Sequence, residues 1–202
     1  MTISIRRLAL GAIAAAVLAA GIVLPVPQAE AVLPSSTTQF VIRAFPHETA
    51  MVQFWDSWGA RRSGGRGHEG TDIMSPKGTS VVAVDDGIVE RLDWNRMSGW
   101  NIKIRHADGW TSHYLHLNND RCCSDDGNGG EETAFAEDLD VGDFVKAGEL
   151  IGFVGDSGNA EHTGSHTHFE LHIDGKKVDP YPFLEEAMDR KVRESEVRRE
   201  LQ

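Results

Sequence analysis

The clearest pattern along the chain is a series of short segments in which apolar positions alternate with polar ones, separated by glycine-containing turns. Such segments are typical of strands, because successive side chains of a strand point to opposite faces of a sheet. They predict strands over residues 80–84, 88–92, 101–105, 110–117, 143–145, 150–154 and 166–173. Short strands at this close spacing indicate a mainly β domain with an antiparallel sheet.

The N-terminal end carries a different pattern. Arg6 and Arg7 precede an uncharged apolar run over residues 8–24, and small residues, Ala29 and Ala31, occupy the two positions that a signal peptidase reads before a cleavage site after Ala31. This pattern predicts a secretory signal peptide over residues 1–31, and therefore a protein that is secreted or held in the cell envelope. An uncleaved membrane anchor is the alternative, because the apolar run is close to the length that crosses a bilayer.

The remaining segments suggest a single domain with two appendages. Residues 32–55 contain Pro, Ser and Thr and form a lead-in to a domain over residues 56–184. Within it, residues 118–138 interrupt the strand pattern with an acidic, glycine-rich sequence, which predicts an inserted surface loop. Residues 185–202 are rich in Glu, Arg and Leu and predict a charged helical tail.

Charge and cysteine content exclude some classes of partner and site. The net charge of -11 argues against nucleic acid, whose binding needs clustered Lys and Arg. It also suits an anionic membrane surface poorly, so a membrane is a partner only if the signal segment stays uncleaved. The two cysteines, Cys122 and Cys123, are adjacent, which is poor spacing for a zinc site and strained for a disulfide.

Histidines concentrate around the last predicted strand: four of the nine fall between positions 162 and 172, three of them in the strand itself. Strand alternation directs the apolar side chains at positions 169, 171 and 173 to the core. It directs four polar side chains to the other face: His166, His168, Glu170 and His172. Two neighbouring imidazoles on one face can share a metal site, although alternation does not choose the ligand between them. A polar solvent face is the alternative.

His68 and Asp72 form a second candidate motif. They are four residues apart after a glycine-rich approach, and both are residue types that bind zinc. Gly70 argues against a helix here, so the segment is not the helical zinc motif with two histidines. The spacing alone is weak evidence.

A third motif lies in the predicted strand over residues 110–117. Alternation predicts that Tyr114 and His116 share one face, whereas Leu115 and Leu117 face the core. A single histidine on a strand is more often structural than catalytic, so the value of His116 depends on its neighbours.

Together these motifs resemble one family, the lysostaphin/LytM-type zinc endopeptidases of bacterial cell walls. The matching blocks are GGRGHEGTDI, SHYLHL, VGDFVKAGELIGFVGDSGNA, HTHFELH and VDPYPFL. They occur in the family's order and extend over about residues 56–184. The resemblance implies a β-sandwich-like catalytic domain, built on a duplicated hybrid motif, with a short C-terminal helix.

The resemblance also implies roles for individual residues. His68, Asp72 and His168 become the ligands of a zinc cofactor, and His166 and His116 become the catalytic residues. The implied activity is hydrolysis of amide bonds in the stem or cross-bridge peptides of peptidoglycan, by a zinc-activated water.

Three other functions compete with this interpretation. A non-catalytic LytM-like regulator of another cell-wall hydrolase would typically lack the zinc ligands, which this chain retains. A biotinyl or lipoyl carrier domain would match the hairpin VGDFVKAGELIGFVG, but it needs a modifiable lysine in a tight turn. A calcium loop would use DDGNGGEE, although acidic glycine-rich loops are usually only solvated.

Two hypotheses concern residues near the implied zinc site. Arg61, Arg62 and Arg66 either bind carboxylates of a stem peptide or are simply loop charges. Some members of the resembled family are latent, with an upstream residue in the open position of zinc, and His47 is the candidate for that role here.

Overall fold

The structure is a computed structural model that describes residues 41–49, 51–121 and 124–201. The predicted signal peptide and the pair Cys122 and Cys123 lie outside the described residues. Among the helices that are described, none combines the length and the apolar character that a membrane crossing requires.

Short strands dominate the described part of the chain. They are β1 (Thr71–Met74), β2 (Ser80–Val82), β3 (Gly87–Asn95), β4 (Gly99–His106), β5 (Thr111–Leu117), β6 (Phe144–Val145), β7 (Leu150–Phe153), β8 (His166–Ile173) and β9 (Lys176–Val178). The helices are α1 (Glu131–Ala134) and α2 (Tyr181–Glu200). Every strand pairing is antiparallel, so the predicted mainly β fold with an antiparallel sheet and a C-terminal helix is confirmed.

The strands form two sheets. The larger has the order β1-β8-β5-β4-β3-β6, with β9 paired to the end of β8, and the smaller consists of β2 and β7. Isolated bridges from Leu117 to Val154 and from Gly155 to His166 tie the segment after β7 to β5 and β8. The predicted strands all occur, whereas β1 and β9 were not predicted, because neither has an alternating pattern of its own.

A single hydrophobic core joins both sheets. Its largest buried side chains include Tyr114 and Phe169, whose rings meet edge-on with centroids 5.4 Å apart. Ile42, upstream of the predicted domain, and Ala187 of α2 are buried in the same core. Packing therefore continues on both sides of residues 56–184, and burial of this apolar surface is the main stabilising term.

The inserted segment over residues 118–138 is anchored at both ends. Near its start, Asp120 Oδ1 accepts hydrogen bonds from two backbone N–H groups of the loop, each 2.7 Å long. Near its end, Ala134 and Phe135 are buried in the core, and Phe135 forms a bridge with Gly152. The segment thus packs against the domain instead of lying only on its surface.

The prediction for the faces of β5 was wrong at two positions. Tyr114 pairs with Phe169 and is fully buried, whereas Leu115 pairs with His168 and lines the polar side of the sheet. His116 has a φ of 62°, a left-handed conformation that breaks the alternation and turns its side chain to the same side as Leu115.

Candidate metal centre and active-site cleft

A cleft of about 650 Å³ opens on the polar side of the larger sheet. The five site residues predicted from the sequence all line it: His68, Asp72, His116, His166 and His168. The structure therefore brings together residues that lie up to a hundred positions apart in the chain.

Strand pairing explains how these side chains meet. β1 pairs with β8 so that Asp72 lies opposite His168 and Met74 lies opposite His166. Directly opposite residues on antiparallel strands have neighbouring side chains on one face. His68 is placed by the hairpin before β1, where its backbone N–H donates to the Ala60 carbonyl at 2.8 Å.

The side chains of His68, Asp72 and His168 converge and are called the metal triangle below. Asp72 Oδ1 lies 3.0 Å from His68 Nε2 and 2.8 Å from His168 Nδ1. The two imidazole nitrogens are 2.9 Å apart. Three atoms that can each act as a metal ligand thus lie in mutual contact.

The outer contacts of both imidazoles are compatible with the tautomers that bind a metal. His68 Nδ1 lies 3.1 Å from the Ser57 carbonyl, which only accepts, so the proton of a neutral ring is on Nδ1 and the lone pair on Nε2. His168 lies between two carboxylates, with Nδ1 2.8 Å from Asp72 Oδ1 and Nε2 3.4 Å from Glu170 Oε1, so a neutral ring with its proton on Nε2 has its lone pair on Nδ1. Three lone pairs then face one another, which is repulsive unless a cation lies among them. Neutral imidazoles and a carboxylate held this way fit zinc.

The pKa shifts of His168 and Asp72 within the metal triangle are both caused by close contact between imidazole and carboxylate groups. Burial favours the neutral form of His168, but the carboxylates of Asp72 and Glu170 outweigh it and raise its pKa. Burial likewise opposes the charge of Asp72, but His168 and His68 outweigh it and hold the pKa of Asp72 well below its usual range. These groups favour a positive charge between them, which a proton or a metal ion can supply.

Two further histidines present free nitrogens to the same cleft. His166 Nδ1 donates to the Gly164 carbonyl at 2.8 Å, and His116 Nδ1 donates to the Ser157 carbonyl at 2.9 Å. Each ring thus keeps Nε2 as a proton acceptor, and the ring centroids are 5.2 Å apart. Burial, with help from the neighbouring histidines, lowers the pKa of His116 to about 4, so this ring is neutral at pH 7.

Charged side chains surround the metal triangle. Arg62 contacts the second carboxylate oxygen of Asp72 at 2.5 Å. Lys177 Nζ bridges Glu69 at 2.8 Å and Glu170 at 2.9 Å, so the Glu69 carboxylate is paired with this lysine. The supporting contacts made by backbone carbonyl oxygens could not be found from the sequence, because any residue type can provide them.

The hypothesis that His47 occupies the open position of a metal is wrong. His47 is fully buried and does not line the cleft. Its Nδ1 contacts Ser75 Oγ at 2.7 Å and its Nε2 contacts Thr167 Oγ1 at 3.0 Å, so both nitrogens are engaged behind β1 and β8. The residue was proposed only because it precedes His68 in the sequence.

A different cluster of carboxylates lies where the inserted segment begins. Three acids surround Lys77 Nζ at 2.6, 2.6 and 2.9 Å: Asp120, Asp125 and Asp156. These four residues are called the lysine cluster below. The ammonium group already supplies a positive charge there, so the calcium-loop alternative gains no support from this geometry.

A third group of possible ligands continues from His168 along the same face. The rings of His113 and His172 are stacked 4.1 Å apart with 5° between their planes. Stacked rings direct their lone pairs in separate planes, so they do not converge on one ion. Glu170 Oε2 contacts His172 Nε2 at 2.8 Å, which makes this group a support for Glu170 rather than a second metal site.

Known proteins share both the motifs and the fold. The model described as Peptidase family M23 matches residues 66–127 and 130–180. The L-Ala–D-Glu endopeptidase of Bacillus subtilis (strain 168) is 35% identical over 139 residues, which cover 63% of this chain and 38% of that protein. The catalytic domain of lysostaphin from Staphylococcus simulans is 27% identical with a TM-score of 0.53, covering 66% of this chain and 92% of that one. A zinc containing peptidase from Vibrio cholerae is 25% identical with a TM-score of 0.54, covering 69% of this chain and 39% of that one.

The matches cover most of this chain but only part of its longer relatives. The chain spans less than two fifths of the Bacillus subtilis relative and of the Vibrio cholerae structure. The family match nevertheless covers more than half of this chain and includes all five of the predicted site residues that line the cleft. The resemblance to the lysostaphin/LytM-type peptidases is confirmed, and the chain belongs to peptidase family M23.

Proposed function

We propose that this protein is a zinc-dependent endopeptidase that hydrolyses amide bonds in the peptides of peptidoglycan. The observation that carries the proposal is the metal triangle, whose three lone-pair donors lie beside two further histidines with free nitrogens. Family membership supports it, as does the description of one structural relative as a zinc containing peptidase. The Bacillus subtilis relative is named an L-Ala–D-Glu endopeptidase, so stem peptides are included among the proposed substrates.

The residues of the metal triangle would hold the zinc ion. His68 Nε2, Asp72 and His168 Nδ1 provide three protein ligands, the usual number at a catalytic zinc site. Zinc in such a site polarises the carbonyl of the scissile amide and brings the pKa of a bound water down to about 7. Ser57 and Glu170 would support the tautomers of the two imidazoles that bind metal.

His166 and His116 would move protons and stabilise charge. Their Nδ1–H groups are fixed by backbone carbonyl oxygens, so the Nε2 of one ring would accept the single proton that the attacking water releases and would later donate it to the leaving amine. The same N–H, once formed, stabilises negative charge on the substrate oxygen. The left-handed backbone of His116 costs on the order of 1 kcal/mol, and it is retained where it aims a side chain into the cleft.

The test is direct hydrolysis. The zinc-loaded protein without residues 1–31 is incubated with purified peptidoglycan of several cross-link types, and new amino termini are identified by mass spectrometry. We expect new termini that vanish when a chelator is added and return with zinc. Zinc-bound protein that releases no new terminus from any substrate would contradict the enzyme and favour the non-catalytic regulator.

Export is a separate proposal that rests on the sequence of residues 1–31. N-terminal sequencing of protein recovered from the medium and envelope of the producing bacterium tests it. A terminus at Val32 supports cleavage of a signal peptide, whereas an intact leader in the membrane fraction supports the anchor.

A further inference from the structure

The cleft has a charge opposite to that of the whole chain. Its lining contains four cationic side chains: Arg61, Arg62, Arg66 and Lys177. It contains three carboxylates: Glu69, Asp72 and Glu170. With neutral histidines this is a charge of +1, and a divalent metal would bring it to +3, in a chain whose net charge is -11. A local excess of positive charge in an acidic protein favours an anionic ligand.

The cationic side chains of the cleft differ in whether they already have a partner. Lys177 bridges Glu69 and Glu170, and Arg62 contacts Asp72. Arg61 and Arg66 form no ion pair with any residue that the structure describes. Their guanidinium groups are therefore free to bind an anion that enters the cleft.

The backbone holds Arg61 and Arg66 in a fixed relation to the metal triangle. Residues 60–67, called the arginine hairpin below, include a bridge from Arg61 to Gly67 and a 2.9 Å hydrogen bond from the Arg62 N–H to the Arg66 carbonyl. The hairpin leads directly into His68, whose N–H donates to Ala60. The main-chain positions of both arginines are thus fixed relative to His68, a residue of the metal triangle.

The turn of the arginine hairpin depends on two glycines. Gly64 and Gly65 have φ values of 74° and 76°, in the left-handed region that side chains rarely adopt. The tight turn keeps the hairpin short, so Arg61 and Arg66 flank the turn on either side and both line the cleft. A guanidinium group suits a carboxylate, which accepts its paired N–H donors, and both arginines at this turn provide one.

The two possible classes of substrate, glycine bridges and stem peptides, differ in whether they carry a carboxylate. A glycine bridge has no side-chain carboxylate, whereas a stem peptide that contains glutamate has one beside its backbone amides. We infer that the arginine hairpin binds a substrate carboxylate and thereby selects acidic stem peptides over glycine bridges. This inference rests on the proposed peptidoglycan hydrolase function and specifies its substrate class.

The test compares peptides that differ only in one charge. The first is a stem peptide containing D-Glu with its free carboxylate, the second is the same peptide with that group converted to an amide, and the third is pentaglycine. The proteins are the wild type, the double variant Arg61→Gln/Arg66→Gln, and the matched control Arg193→Gln. Arg193 is exposed on α2 and does not line the cleft.

Two quantities are measured for each combination of protein and peptide. The first is kcat/KM of the zinc-loaded protein, and the second is Kd by calorimetry on metal-free protein, which cannot turn the peptide over. We expect the wild type to prefer the carboxylate peptide over the amide about tenfold, which corresponds to one charge-assisted contact. The preference should shrink as salt rises from 0.05 to about 0.5 M. The double variant should lose the preference, and Arg193→Gln should retain it.

The outcomes separate this inference from the function on which it rests. The inference is overturned if the wild type has equal Kd and equal kcat/KM for the carboxylate peptide and the amide peptide. It is also overturned if the double variant loses affinity equally for both peptides. Hydrolysis of any peptide in these cases still supports the proposed function. A hairpin-dependent preference in Kd without cleavage of any peptide supports the inference and overturns the function. If the double variant melts early, Arg61→Lys/Arg66→Lys replaces it, because lysine keeps the charge but loses the paired N–H donors and should show a reduced preference.

Discussion

The metal triangle and the lysine cluster contain similar numbers of possible metal ligands but differ in what neutralises them. In the metal triangle, two imidazole nitrogens and a carboxylate oxygen meet within 3.0 Å of one another. In the lysine cluster, three carboxylates surround the ammonium group of Lys77. Arg62 contacts Asp72 only through the other carboxylate oxygen, Oδ2, whereas the ammonium group of Lys77 lies where the three acids converge. A group of metal-binding residue types therefore indicates a metal site only where no side-chain cation occupies the point on which the ligand atoms converge.

The lysine cluster is also stable as an ion-pair network. Burial opposes the charge of Lys77, but the three carboxylates outweigh it and raise the pKa of the lysine above its ordinary value. Asp120 and Asp156 are nearly inaccessible, so without the ammonium group two buried carboxylates would have no compensating charge. The cluster thus fastens the inserted segment to the loop before β2 and has no need of an ion.

The largest effect is expected when one possible ligand is removed from the metal triangle, in comparison with one removed from the lysine cluster. His168→Ala should lose zinc and hydrolysis together, by more than about 100-fold, because even loss of an outer partner costs about 10–100-fold in affinity or activity. Asp156→Asn, the matched change in the lysine cluster, should keep one zinc per chain. Metal content by mass spectrometry and release of peptidoglycan termini measure both. Stoichiometric zinc in His168→Ala would show that the ligand set is wrong.

A second change separates metal binding from proton transfer inside the cleft. His166→Ala should retain zinc but lose roughly 10²–10⁴-fold in kcat, because a positioned acid–base group contributes about that factor. His116→Ala should behave in the same way. The measurement is single-turnover hydrolysis on protein with verified zinc content. Near-normal turnover in either variant would move the proton-transfer role to another residue.

The faces of cleft residues that follow the two-residue alternation of a strand could be predicted from the sequence. The contacts that depend on pairing between distant strands could not. Alternation along β8 put His166, His168 and Glu170 on one face, as the structure has them. It could not choose a ligand, because that choice depends on pairing with β1, where Asp72 falls opposite His168. Such pairing joins residues ninety-six positions apart, and no local pattern specifies it.

The misplaced faces of β5 have a different origin. Alternation assumes that every residue of a strand has extended backbone, and His116 does not. A positive φ at a histidine has no reliable signal in the residue type, so Leu115 was predicted in the core and Tyr114 in the cleft. The failure occurred beside the proposed active site, where local rules are most often broken for function.

Removing the ammonium group should convert the lysine cluster towards a metal site. Lys77→Ala leaves Asp120 and Asp156 uncompensated, and we expect a loss of about 2–3 kcal/mol in the free energy of unfolding, below the range for fully buried pairs because Lys77 is partly exposed. Millimolar calcium should restore part of that loss in the variant and leave the wild type unchanged. Urea unfolding with and without calcium measures the effect. If calcium changes the urea midpoint of neither the wild type nor the variant, the three acids need no cation at all.

The smallest expected effect concerns a histidine that has no carboxylate beside it. The ring nitrogens of His47 contact only hydroxyl groups, and burial, with the nearby charges of Lys191 and His166, lowers its pKa to about 3, so the folded protein keeps the ring neutral. The unfolded chain binds the proton at a pKa of about 6.5. The contribution of neutral His47 to the free energy of unfolding is therefore fully present above about pH 6.5 and is lost as the pH falls towards 3. Between pH 7 and pH 5 the loss is about 1–2 kcal/mol. His47→Gln should flatten that slope in urea unfolding measured on metal-free protein, since glutamine can keep hydrogen bonds but cannot titrate. An equal slope in the variant would assign the acid sensitivity to other buried histidines such as His113, whose pKa burial also lowers to about 3.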